Sequence, residues 1–162
     1  MNTINNITTE ELIAKYSDMV FRVAYARAQN IDDAQDITQD VFLKYIKANK
    51  KFNDEEHLKA WLLKVAVNTG NTFVKSAWAR HRAELNEAAD ETSFMDEKSE
   101  VYYAVKDLPE KYRVIIHLFY YEEMSIKDIC KILKLGENAV KTRLHRARGL
   151  LKEKLKEADY EF

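Results

Sequence analysis

A chain of 162 residues with 26 lysines and arginines against 27 acids has a net charge of −1, and an apolar content of 46% suffices for packed cores and excludes wholesale disorder. That length holds one ordinary domain or two small ones, and three glycines and one proline are too few turn formers for a strand-rich fold, so an all-α protein is expected. A single cysteine, Cys130, excludes an internal disulfide framework and a cysteine-rich zinc site; no signal-peptide pattern opens the chain, and its apolar runs are too short to span a bilayer, so a soluble intracellular protein is expected.

The first block of elements runs from about Glu10 to Ala79. Leu12, Tyr16, Met19, Val20 and Val23 recur at steps of three and four and predict an amphipathic helix. Asp32 and Asp33 suit the first turn of a second helix, whose apolar face is Ile37, Val41, Phe42, Tyr45 and Ile46. The polar stretch Lys50–His57 reads as a loop, and a third helix follows with Leu58, Trp61, Leu62, Val65 and Ala66 inward. Gly70 interrupts that helix at a cost of up to about 1 kcal/mol relative to alanine, which argues against one straight helix.

Local charge says more than the total. Residues 60–83 hold Lys64, Lys75, Arg80 and Arg82 with no acid, whereas residues 84–100 hold seven acids against Lys98. The acidic stretch has weak periodicity and reads as a linker.

A second block begins near Val101. Pro109 suits a first helical position, Val114, Ile115, Leu118 and Phe119 face a core, and Tyr120–Met124 is a connection. Ser125 with Asp128 resembles a capping box, opening a helix with Ile126, Ile129, Cys130 and Leu133 inward. After the break KLGE comes a last helix. At about 100° per residue, Val140, Leu144, Ala147, Leu151 and Leu155 share one side and should pack inward. Thr142, His145 and Arg146 point away from that stripe, with Lys141, Arg143 and Arg148 on its flanks. Helix, short turn, basic helix is the layout of a helix-turn-helix, and the outward donors suit guanine edges and phosphate oxygens. A basic helix by itself is often only a solvated face; the capped helix and short turn before it favour DNA.

The stretch LPEKYRVIIHLFYYEEMSIKDICKILKLGENAVKTRLHRARGLL resembles region 4 of the extracytoplasmic-function (ECF) sigma factors of bacterial RNA polymerase. DAQDITQDVFLKYIK with HLKAWLLKVAVNT resembles region 2 of the same family, and the two occur in the expected order over nearly the whole chain. The resemblance implies two small helical domains, at 8–80 and 101–157, joined by a flexible acidic linker at 81–100. It further implies binding to core RNA polymerase, recognition of the −35 and −10 promoter elements and melting of the −10 duplex.

Carried over by position, Asp36, Gln39 and Asp40 match the polymerase-binding part. The loop residues Phe52 and Asn53, with Lys64, Asn68, Asn71 and Lys75 along the third helix, match the −10 part. Unstacked bases and a bare backbone call for cations, amides and a pocket there. In the last helix Lys141, Thr142, His145 and Arg146 fall where the family reads −35 bases, Arg143 and Arg148 suit phosphates, and Lys127 also suits the backbone. Trp61 reads as core; Trp78 and Arg80–Arg82 receive no role beyond phosphate contact. The family often has glycine in the helix–helix turn and serine as the cap, where this chain has Lys134 and Gly136. A left-handed Lys134 costs on the order of 1 kcal/mol. The resemblance also implies an anti-sigma partner, in many cases membrane-anchored, and a cytoplasmic location.

Other classes account for less. A stand-alone helix-turn-helix regulator usually dimerises across two half-sites, and that reading leaves the first block without a role. His57, His81, His117 and His145 lack metal-ligand spacing and there is no phosphate-binding glycine loop, so neither a metal nor a cofactor nor intrinsic catalysis is expected. His117 reads as a hydrogen-bonded core residue. The acidic stretch is also a candidate intramolecular mimic of DNA, covering the basic surfaces of the free chain.

Overall fold

The computed structural model describes residues 7–81 and 100–156, the side chains of 77–81 excepted. The acidic linker, Arg82 and the side chains of Trp78 and Arg80 therefore lie outside the described residues. The chain divides into two units, Met1–Asp90 and Glu91–Phe162, and among the described residues the regular elements are all helical.

In the first unit each helix start is fixed by a side-chain cap. The Glu11 N–H donates to Thr8 Oγ1 and the Thr8 N–H donates to Glu11 Oε1, a reciprocal capping box that opens α1 (Thr9–Ala28). Asn30 Oδ1 accepts from the Asp33 N–H at 2.8 Å to open α2 (Ile31–Ala48). Asp54 Oδ1 accepts from the His57 N–H at 2.8 Å, so α3 begins at Glu55, inside the stretch expected to be a loop. Gln29 and Asn49 close α1 and α2 in the left-handed conformation.

The three helices bury Leu12, Val20 and Val23 of α1, Ile37 and Val41 of α2, and Leu58, Leu62, Leu63 and Ala66 of α3 almost completely. Both α1 and α2 pack on α3. The buried face of α3 is therefore turned relative to the expected stripe: Leu63 and Val67 are inside, while Trp61 and Val65 are half-buried. On α2, Ile46 was expected in the core and is instead 51% exposed, because it lies about 120° around the helix from the centre of the buried face.

Gly70 does not break α3, which runs unbroken from Glu55 to His81. It serves close packing instead. A Cβ there would lie 3.1 Å from Arg27 Cγ and 3.8 Å from Ile37 Cδ1, so the missing side chain lets α1 and α2 approach α3. Lys15 of α1 and Glu55 of α3 form a surface ion pair across the same unit.

In the second unit α4 (Glu100–Lys106) precedes α5 (Glu110–Ile116), with Pro109 at the N-cap, one position before the place expected for it. Helical structure does not stop at Phe119. A π-helical turn continues through His117–Tyr121, with the Glu122 N–H donating to the His117 carbonyl at 3.0 Å. His117 is 3% exposed and its Nε2 lies 2.8 Å from Glu122 Oε2, itself buried. Glu123 then takes a left-handed φ of 54° to redirect the chain.

Ser125 Oγ accepts from the Asp128 N–H at 3.0 Å and opens α6 (Ile126–Leu133). Its buried positions are Ile129 and Ile132; Cys130 and Leu133 are half-buried at the edge of that face. Lys134 is left-handed at φ 59°, as the turn requires. The Gly136 carbonyl accepts from the Val140 N–H to start α7 (Glu137–Lys156). Val140, Leu144, Ala147, Leu151 and Leu155 are all buried, the stripe expected from helical spacing.

Candidate functional surfaces

Three surfaces are built on these helices. The first is the outer side of α2. Asp36 and Gln39 are exposed, and Leu43 (52% exposed) and Ile46 continue the same line. Steps of three, four and three keep these four side chains within about 80° of one another around the helix. Asp40 stands beside the line and is half-buried. Its Oδ2 lies 3.5 Å from Lys44 Nζ, which also donates to the buried Thr69 Oγ1 of α3 at 2.9 Å. Part of the Asp40 charge is thus used within the bundle. The face presents an acidic and amide end followed by an exposed apolar end. The spacing pattern gives no role to Leu43 and counts Ile46 inward; its position about 120° off the core axis of the helix is the signal in the sequence that Ile46 faces out.

The second surface follows α3 and the loop before it. Lys64, Asn68, Asn71 and Lys75 lie within about 60° of a common direction; the first three are half-buried and Lys75 is exposed. Asn71 Oδ1 accepts from Arg27 Nε at 2.7 Å, which fixes the orientation of its carboxamide. Phe52 is 8% exposed. Its ring lies 6.2 Å from Tyr45, 5.6 Å from Trp61 and 5.1 Å from His57, an aromatic cluster that pins the loop to the bundle. Asn53 beside it is exposed, and its N–H donates to His57 Nδ1 at 3.3 Å. Phe52 therefore anchors the loop, and Asn53 is the side chain that the loop offers to solvent.

The third surface is α7 with the start of α6. Lys127, Lys141, Thr142, His145, Arg146 and Arg148 are exposed and Arg143 is half-buried. Lys141 pairs with Glu137 one turn earlier at 3.2 Å. Arg148 differs from its neighbours: its Nε donates to Tyr120 Oη at 2.6 Å, and its guanidinium carbon lies 5.6 Å from the Phe119 ring and 5.7 Å from the Tyr120 ring. Arg148, His145 and Lys152 line one side of a groove of about 600 Å³ whose other walls include Val101, Val105 and Tyr121. The groove was not legible in the sequence, because α4, the π-turn and α7 come together only in the fold. Among the described residues no cluster of His, Cys, Asp and Glu is arranged to hold a metal, and no helix is long and apolar enough to cross a membrane.

A capped helix, a left-handed turn and a basic helix with its apolar stripe buried define a helix-turn-helix protein, here coupled to a three-helix unit. Comparison with known proteins specifies the class further. Residues 12–80 match the family model of Sigma-70 region 2, and residues 98–151 match that of Sigma-70, region 4. The RNA polymerase sigma factor SigV of Bacillus subtilis (strain 168) is 30% identical over 155 residues, covering 91% of this chain and 90% of SigV. The ECF RNA polymerase sigma factor SigW of the same organism is 24% identical over 165 residues, covering 91% and 88%. Among solved structures, the sigma factor RpoE bound to the anti-sigma factor NepR from Bartonella quintana is similar, with a TM-score of 0.75, 21% identity and coverage of 91% of this chain and 96% of that one. CnrH in complex with the cytosolic domain of CnrY matches with a TM-score of 0.64, 21% identity and coverage of 94% and 89%.

The chain belongs to the sigma-70 family of RNA polymerase sigma factors, in its extracytoplasmic-function branch. It is an alternative sigma factor that directs transcription initiation at promoters, and the stand-alone regulator is not favoured.

Proposed function

We propose that the α2 face docks on core RNA polymerase through Asp36, Gln39 and Asp40, with Leu43 and Ile46 adding apolar contact. Acid and amide groups at one end and two exposed aliphatic side chains at the other suit a partner surface with basic and apolar parts. The α3 face with Asn53 takes the displaced −10 strand: Lys64 and Lys75 meet phosphates, and Asn68 and Asn71 meet bases or sugar. Phe52 acts there by holding the loop. Lys141, Thr142, His145 and Arg146 read the −35 bases from the major groove, while Lys127, Arg143 and Arg148 meet the backbone.

On this reading, residues 8–80 carry polymerase binding and −10 recognition, residues 101–157 carry −35 recognition, and residues 81–100 link them. The chain does no covalent chemistry of its own and works in the cytoplasm. NepR and CnrY are partners of the structural neighbours, and an anti-sigma factor, soluble or membrane-anchored, is proposed for this chain too.

The observation that carries the proposal is the presence on one chain of an acidic and apolar stripe on α2 and a basic, outward α7 face behind a capped α6. Fluorescence-anisotropy titration against bacterial core polymerase, followed by run-off transcription from a promoter library, tests it. Tight binding with selective transcripts is the expected result. No polymerase binding, with tight binding of a duplex by the chain alone, would overturn it.

A further inference from the structure

Buried charge-bearing groups need a reason, since taking a carboxylate out of water is costly unless it is hydrogen-bonded. Glu122 and His117 are each 3% exposed and no surface proposed above uses either. They are joined twice across the π-turn. His117 Nε2 and Glu122 Oε2 are 2.8 Å apart, and the Glu122 N–H donates to the His117 carbonyl at 3.0 Å. An apolar pair would fill the same space without the desolvation cost, but it would not specify the wide turn. π-turns within helices are uncommon and concentrate at functional positions.

This turn carries a side chain that touches α7. It carries Tyr120 and Tyr121 between its two fastened ends, and the His117 ring packs 5.1 Å from that of Tyr121. Tyr120 is half exposed, and its hydroxyl accepts from Arg148 Nε at 2.6 Å. That bond takes the single donor on Nε. The remaining N–H donors of the guanidinium fork sit on its two terminal nitrogens, the geometry suited to a phosphate. The guanidinium also rests over the Phe119 and Tyr120 rings, which limits its rotamers. A preorganised arginine loses less conformational entropy on binding than a free one.

We propose that the buried His117–Glu122 pair is a positioning device: it holds the π-turn so that Tyr120 presents Arg148 to the DNA backbone. This rests on the assignment of α7 to −35 DNA and extends it to two residues that touch no DNA. His117 and Glu122 act only through Tyr120, and Tyr120 acts only through Arg148.

The test uses the full-length chain assembled with core polymerase. Its readouts are binding to promoter DNA with an intact or a scrambled −35 element across a salt series, and urea unfolding of the free chain. Loss of one phosphate contact lowers the log–log salt slope by about 1. Tyr120→Phe, Glu122→Met and Arg148→Met are each expected to lower it by that amount on the intact promoter. Glu122→Gln, which keeps an acceptor for the His117 N–H, should retain the wild-type slope. The double variant Glu122→Met/Arg148→Met should bind no more weakly than Arg148→Met.

A Glu122→Met variant that lowers the urea midpoint, leaves the salt slope unchanged and adds fully to Arg148→Met would overturn the proposal and leave the pair a purely structural feature. Tyr120→Phe is a surface change that keeps the ring, so it gives an answer even if Glu122→Met does not fold; a wild-type slope for Tyr120→Phe overturns the proposal equally. Wild-type holoenzyme that binds intact and scrambled −35 DNA alike removes the assignment of α7, and the role of the pair falls with it. A wild-type −35 preference together with unaltered variants removes only the role of the pair.

Discussion

Arg146 stands exposed on α7, one turn after Thr142 and with the buried Leu144 and Leu155 on the opposite side. A guanidinium in that position suits the O6 and N7 edge of guanine. Arg146→Ala is expected to reduce discrimination between intact and altered −35 elements by about 1–3 kcal/mol, measured by competition binding of holoenzyme. Equal weakening on every sequence would reassign it to phosphate.

Gly70 is a second position where one side chain decides much. A Cβ would press on Arg27, whose Nε is already engaged with Asn71. Gly70→Val should therefore lower the unfolding free energy by about 1–3 kcal/mol through overpacking, read by urea denaturation. The same change should disturb Asn71 on the α3 face. The spacing of residues in sequence marked Gly70 only as a weak helix former. Its role lies in the approach of α1 and α2, which no local pattern encodes.

Within α2, two kinds of apolar residue alternate. Ile37 is fully buried, whereas Leu43 and Ile46 are each more than half exposed. Ile37→Ala should cost about 2–5 kcal/mol of stability. Leu43→Ser and Ile46→Ser should change it by less than about 0.5 kcal/mol while weakening association with core polymerase. Calorimetry and a pull-down separate the two effects, and Gln39→Ala belongs with the second group. Normal association of all three surface variants would take this face out of the interface. The core stripes of α1 and α7 were legible because the buried Leu12, Tyr16, Met19, Val20 and Val23 of the one, and Val140, Leu144, Ala147, Leu151 and Leu155 of the other, each fall within one arc of a 3.6-residue period. The stripe of α3 was legible only in part, since Leu63 and Val67 are buried along with Leu58, Leu62 and Ala66, which makes its inward face wider than a single stripe. The π-turn was not legible at all. Tyr120 and Tyr121 read as a connection, and the His117–Glu122 contact that flanks them joins residues five apart, outside the spacing of an α-helix.

The acid response of the first unit follows from Glu55, whose carboxyl is held below its usual range first by the hydrogen bond from Lys15 and then by that from Tyr16. The folded state thus takes up that proton less readily than the unfolded chain. The stabilisation is complete above the unfolded carboxylate value and is lost as pH falls through the lower folded value. Glu55→Gln should flatten the acid limb of the stability curve, and salt should shrink the effect in the wild-type chain because the pair lies at the surface. Thermal unfolding across an acidic pH series with and without added salt checks both. For the two units together, the free chain is expected to bind promoter duplex poorly and the holoenzyme tightly. Neutralising Glu84, Glu87, Asp90 and Glu91 should raise binding by the free chain if that stretch masks the basic surfaces; unchanged binding at low salt would discard the mask.

The amino-acid sequence alone determined the all-helical class, most of the helix starts, the inward stripes of α1 and α7 and the motifs that place the chain among sigma factors. Those are local properties: a cap needs a side-chain oxygen three residues from an N–H, and a stripe needs only a period. Tertiary structure decided which apolar side chains remain outside, as at Leu43 and Ile46, and why Gly70 interrupts a long helix without breaking it. It also decided that Phe52 anchors a loop and that Arg148 leans on Tyr120. Each of these depends on how separate elements pack on one another, side chain against side chain, which no period along a single helix contains.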